Sequence, residues 1–241
     1  MSEFKTLFGL NEDQLKNTCI LTPFFTKGML DSFKVNETFH GTPYSCANSD
    51  NLTLIKTHVG APFVGDAVLN LKNTYCSNII LFGSCGLVSE TETLRIGSLV
   101  SPVKALELES FSQLLNYKID KSRFTEAHND LLEKLISISP ANIETVLCAS
   151  VGSIFLENEY KEFFLENNIS ALEMECSAFF NAAKHINRKA IALFYATDIL
   201  GTNSPFDKPS EQVKIAIDNS IELAIKTIQL LADDLDKQAN L

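Results

Sequence analysis

The chain has 241 residues, 45% of them hydrophobic and 21% charged, with a formal net charge of -10; that is enough apolar material for one large core, and no polar tract divides residues 1–241 into domains. An acidic chain without a Lys/Arg cluster suits neither nucleic acid nor an anionic membrane, which are bound through clustered cations. The start, MSEFKTLFGLNEDQLKNT, has neither a basic leader nor an apolar run, and no segment approaches the roughly 18 apolar residues of a membrane span, so a cytoplasmic protein acting on small molecules or on other proteins is expected.

Short apolar, β-branched runs predict strands at TCILTPF (18–24), LTLIKTHVG (52–60), NIILFGSCG (78–86), GSLVSPV (97–103), TVLCASVG (145–152), ISALEM (169–174) and AIALFYATD (190–198). Helical patterns follow several of them, at FVGDAVLNLKN (63–73), EAHNDLLEKLIS (126–137), NEYKEFFLEN (158–167) and CSAFFNAAKHIN (176–187). A long last helix from about Glu211 repeats Val213, Ile217, Ile221, Ala224, Ile228, Leu231 and Leu235 at steps of three or four, one apolar stripe fit to cover a sheet. Alternating strands and helices predict an α/β fold, a single three-layer αβα domain around a mixed, twisted sheet.

Ligands in such folds bind at the carboxyl ends of strands. One strand is predicted to run into a turn at Gly83-Ser84-Cys85-Gly86, another ends at Gly60, and a third ends at Asp198 after six uncharged residues. Glycines permit close backbone approach and Ser84 offers a hydroxyl, although a G-x-x-G turn alone is far more often just a turn. Asp198 alone reads first as a helix cap or an Asx turn. Glu173 and Glu175, flanking Met174 at a strand-to-helix junction, need a partner or a ligand, because a carboxylate leaving water is costly unless hydrogen-bonded. The six cysteines and four histidines are dispersed, with no zinc-like spacing, so the thiols read as reduced and structural and no metal site is expected.

The ordered set GSCG, EME and ATD resembles the nucleoside phosphorylase and nucleosidase superfamily, and the opening LFGLNEDQLKNTCIL is similar to the lead-in of its hexameric purine nucleoside phosphorylases. The resemblance implies cleavage of the N-glycosidic bond of a purine nucleoside. Glu175 would accept hydrogen bonds from sugar hydroxyls, Met174 would pack on the sugar, and Asp198 would protonate N7 of the leaving base. Glu173 would face the base or a structural partner, and Phe155 would stack on the base, at even odds with a place in the core. Gly60 and Gly86 would lie along the ligand. No cofactor is implied beyond phosphate as a co-substrate.

Phosphorylases of this superfamily carry G-D-P-x-R after the first strand, where this chain reads LTPFFTKGM without the motif's acid or arginine. Leu81 stands near the place of a second arginine. Three readings follow: phosphorolysis through Ser84, Thr26, Lys27 or Lys34, slightly preferred; hydrolysis, as in methylthioadenosine and adenosylhomocysteine nucleosidases; and a non-catalytic nucleoside-binding relative. The resemblance also implies a homo-oligomer (dimer, trimer or trimer of dimers), with His40 or Lys34 donated to a neighbouring site.

Overall fold

The computed structural model describes residues 2–110, 112, 113, 116, 120, 122–202 and 206–239. Every predicted strand is present: β1 (Thr18–Thr22), β4 (Leu52–Lys56), β5 (Asn78–Leu87), β6 (Leu99–Leu108), β8 (Ile143–Val151), β9 (Ile169–Glu173) and β10 (Lys189–Ile199). Three short strands were not predicted, β2 (Glu37–His40), β3 (Ser45–Asn48) and β7 (Phe124–Glu126). The mixed sheet is flanked by helices α1 (Glu3–Phe8), α2 (Lys27–Ser32), α3 (Ala61–Asn70), α4 (Asn129–Ile138), α5 (Lys161–Glu166), α6 (Cys176–His185) and α7 (Glu211–Ala239).

The strands at the centre are apolar on both sides, as strands covered on both faces must be. All of Asn78–Phe82 in β5 and Ala190–Phe194 in β10 is buried. Helix α6 lies against β5, β6, β8 and β10 and packs beside α3, while α7 lies against β1 and β10 with α2 and α4 alongside. The predicted stripe of α7 is buried from Ala224 through Ile228 and Leu231 to Leu235; its first turns, at Val213 and Ile217, are only half-buried.

The sheet does more than lie between helices. β5 pairs in parallel with β10, β10 with β6 antiparallel, β6 with β8 and β8 with β9 in parallel, and β9 returns antiparallel to β5. Those five strands form a closed ring. From its β5 side an open wing continues through β1, β4, β3 and β2. Thus β5 is shared by ring and wing.

Candidate active site

The opening is created by how β5 changes partners. Along one edge it pairs with β10 from Asn78 to Leu87. Along the other it pairs with β1 only as far as Leu81, and β9 joins only at Gly86. Among the described residues, 82–85 have no strand partner on that edge. A cavity of ≈ 170 Å³ lies at this gap, walled by residues 81–86, by Pro23 and Phe24 beyond β1, by residues 172–175 at the end of β9, and by Phe194, Thr197 and Asp198 of β10. The GSCG stretch is therefore not a turn: it is extended strand throughout, ending at Leu87. Its glycines are spaced as a turn would be, but a parallel partner on β10 holds the chain straight.

The two glutamates after β9 have different surroundings. Glu173 is buried, and its carboxylate accepts hydrogen bonds from the amides of Glu175 at 2.7 Å and Cys176 at 2.6 Å, and from the Ser150 hydroxyl. Ser150 in turn accepts from the Ser177 amide at 2.7 Å. Glu173 thus fastens the first turn of α6 to β8, acting as the structural partner rather than as a base contact. Glu175 turns to the cavity, and its Oε1 accepts from the Gly60 amide at 2.5 Å. Gly60 has φ +111°, which side-chain-bearing residues rarely adopt, so the glycine permits this approach from the start of α3. Burial pushes both carboxyls up, and at Glu173 the three donors oppose it.

Asp198 lies at a register shift in the β5–β10 pairing, where Ala196 faces Cys85 and Asp198 faces Gly86 with Thr197 displaced between them. The bulge aims its carboxyl at the cavity. Thr197 donates to Oδ1 at 2.7 Å, and Oδ2 lies 2.8 Å from where a Cβ on residue 86 would be. Gly86 is required for clearance, not for a turn. Burial raises the Asp198 carboxyl above the usual range, with the Thr197 hydrogen bond opposing.

Sequence reasoning missed Glu157. It opens a 3-10 turn, Glu157–Tyr160, and lines the same cavity as Asp198. Its carboxyl is pushed up to about 7, by burial first and then by the charge of Asp198. Only its place two residues after Phe155 could have drawn attention to it.

The other predicted residues divide. Ser84, exposed, and Met174, half-buried, line the cavity. Phe155 is not core; it is 85% exposed on the wall of an adjoining cavity of ≈ 890 Å³. Thr26 caps α2 by accepting from the Met29 amide at 3.1 Å, and Lys27 is exposed on that helix. Neither lines the cavity. Lys34 lines a separate cleft with Ser49, Asp50 and Lys226, which removes it from this site within the chain. Among the described residues, no Lys, Arg or His lines the cavity. All six cysteines are buried and unpaired. Folding does bring the Cys148 and Cys176 thiols within 4.8 Å of the Glu173 carboxylate. Burial raises both thiols and Glu173 already holds its donors, so this cluster reads as hydrogen-bonded core.

Known proteins resemble the chain in sequence and in fold. A 24% identical stretch of 180 residues relates the chain to a DeoD-type purine nucleoside phosphorylase of Brevibacillus brevis, covering 68% of this chain and 73% of that one. A second DeoD-type enzyme, from Anoxybacillus flavithermus, is 25% identical over 71% and 72%. The fold is similar to uridine phosphorylase of Vibrio fischeri (TM-score 0.74, 18% identity, 92% and 93% covered). It is also similar to 5'-methylthioadenosine/S-adenosylhomocysteine nucleosidase of Campylobacter jejuni (0.72, 14%, 91% and 99%) and AMP nucleosidase of Bacteroides thetaiotaomicron (0.72, 14%, 96% and 95%). The family model described as "Phosphorylase superfamily" matches residues 12–229, from before β1 to within α7, and the chain belongs to that superfamily.

Proposed function

We propose that this protein cleaves the N-glycosidic bond of a purine nucleoside, with water as the acceptor. The observation that carries the choice of water is the acidic lining of the cavity, where four carboxyl groups stand (Glu157, Glu173, Glu175 and Asp198) without a cation among the described residues. Breaking the bond leaves positive charge on the ribosyl ring, which carboxylates stabilise. A phosphate dianion in the same space would meet acids and no cation among the described residues, without the fork of Arg donors that usually holds it. Two of the three arginines are engaged elsewhere: Arg123 pairs with Glu107, and Arg188 donates to the carbonyls of Lys72 and Thr74.

In this reading Glu175 accepts from sugar hydroxyls, Met174 packs on the sugar, and the exposed Ser84 hydroxyl is available to the attacking water. Asp198, raised by burial, gives its proton to N7 as the base leaves. The proton lost by the water that adds to the ribosyl carbon passes to solvent, from which Asp198 is reprotonated. A neighbouring copy of the chain covering Phe24, which is 59% exposed at the rim, belongs to the same reading.

Phosphorolysis is the second reading, favoured by the purine nucleoside phosphorylases among the relatives. The test is base release from adenosine, inosine and methylthioadenosine with and without phosphate, with the sugar product identified. Equal rates are expected with and without phosphate, with free ribose from adenosine and inosine and free 5-methylthioribose from methylthioadenosine; a requirement for phosphate with the corresponding sugar 1-phosphate as product would refute hydrolysis.

A further inference from the structure

The site cavity and the adjoining one share three residues, Ile154, Glu157 and Asp198, so two carboxyl groups stand at the neck between them. We infer that Glu157 and Asp198 together read the edge of the base that carries N7 and the 6-substituent, and that they select 6-aminopurine nucleosides over 6-oxopurine ones. This rests on the purine reading above. A sugar held at Glu175 in the first cavity directs its base towards this neck.

Glu157 is not on a loose loop. Leu156 and Tyr160, on either side of it, are buried with Leu200 in one apolar cluster. Lys161 Nζ donates to the Leu200 carbonyl at 2.9 Å, fastening the segment to the chain just beyond β10. The Glu157 side chain, which shares the neck with Asp198, is therefore held by the stretch of chain just beyond Asp198.

The chemistry follows from counting protons. Two interacting carboxyls lose their protons in two steps that belong to the pair, and between those steps the pair holds one proton. It then offers one donor and one acceptor. A 6-aminopurine presents the complement on adjacent atoms, an acceptor at N7 and a donor at the amino group. A 6-oxopurine presents two acceptors, one of which would face a carboxylate, and an unmatched buried polar group is what makes a site reject an analogue. The raised carboxyl of Glu157, at about 7, keeps one proton in the pair up to near neutrality. The other charged groups around the neck are acids, Glu159 and Asp207 in the adjoining cavity and Glu173 and Glu175 in the first, with Lys161 the cation on the same segment.

The experiment compares kcat/KM for adenosine and inosine in the wild-type protein and in Glu157→Gln, with Glu157→Asp as a second variant that retains the charge. The wild type should favour adenosine. Because an amide can donate to a 6-oxo group, Glu157→Gln should lower the adenosine-to-inosine ratio by about tenfold or more, the scale of one hydrogen bond to a charged group. Glu157→Asp should keep the direction of the preference. A merely structural glutamate would change both substrates alike. An unaltered ratio in Glu157→Gln with both nucleosides still cleaved, or a wild-type preference for inosine, would overturn the inference while leaving the purine reading intact. No base release from either nucleoside by the wild-type protein would overturn the purine reading, and the inference with it.

Discussion

Replacing Glu157 by Gln should make the protein more stable, and by an amount that depends on pH. A carboxyl whose ordinary value is 4.5 and whose folded value is about 7 is ionised in the unfolded chain before it is ionised in the folded one. Between those values the folded state binds the extra proton, so stability falls as pH rises, and the loss is complete once pH passes the folded value. At 1.36 kcal/mol for each pH unit, the full cost reaches about 3 kcal/mol at pH 8, and partial exposure of the side chain lowers it. At pH 5 the same reasoning leaves less than about 1 kcal/mol. Glutamine has no such cost. Urea denaturation of both proteins at pH 5 and pH 8, followed by far-UV circular dichroism at one protein concentration, should show the advantage of the variant growing by up to about 2 kcal/mol. Groups that titrate alike in both proteins cancel in the comparison. An advantage equal at the two pH values would mean that Glu157 ionises as freely folded as unfolded, and the account of the neck as a crowded pair of acids would fail.

Gly86→Ala places a methyl 2.8 Å from Asp198 Oδ2 and must displace that carboxyl; base release should fall by about a hundredfold, the range of one general acid, and a rate within twofold of wild type would show that the carboxyl's position is unimportant. Ser150→Ala removes a donor from buried Glu173 and the acceptor of the Ser177 amide, so denaturation should show a loss of about 1–3 kcal/mol, the cost of unsatisfied buried groups. A change of a few tenths would mean that water takes the hydroxyl's place.

What could be read from the sequence was whatever depends on a single segment. The long strands are legible because residues buried on both faces make continuous apolar runs, as in NIILF and AIALF. β2 and β7 are short and at least partly exposed, with residues such as Glu37, His40 and Glu126, and carry no such run. Asp198 and the Glu173/Glu175 pair draw notice as acids at the ends of apolar strands, but the choice of Glu175 and the role of Asp198 come from the resemblance, since Asp198 alone reads as a cap or turn. Glu157 draws none, since ENEYKEFF reads as the acidic first turn of an amphipathic helix and only the packing of Leu156 and Tyr160 turns that residue inward. Two of the suggested phosphate ligands, Thr26 and Lys27, do not line the cavity for a related reason, while Ser84 does. Thr26 and Lys27 lie only three and four residues beyond Pro23 in the chain, but Thr26 is drawn into capping α2 and Lys27 lies exposed on it, away from the cavity wall.

The gap between β1 and β9 along β5 also bears on how such proteins diverge. Strand order alone makes the aperture, so exchanging the side chains around it need not close it. A uridine phosphorylase, a methylthioadenosine nucleosidase and an AMP nucleosidase share this fold with the present chain at 14–18% identity. The backbone supplies the doorway, and the residues hung in its frame decide what is admitted.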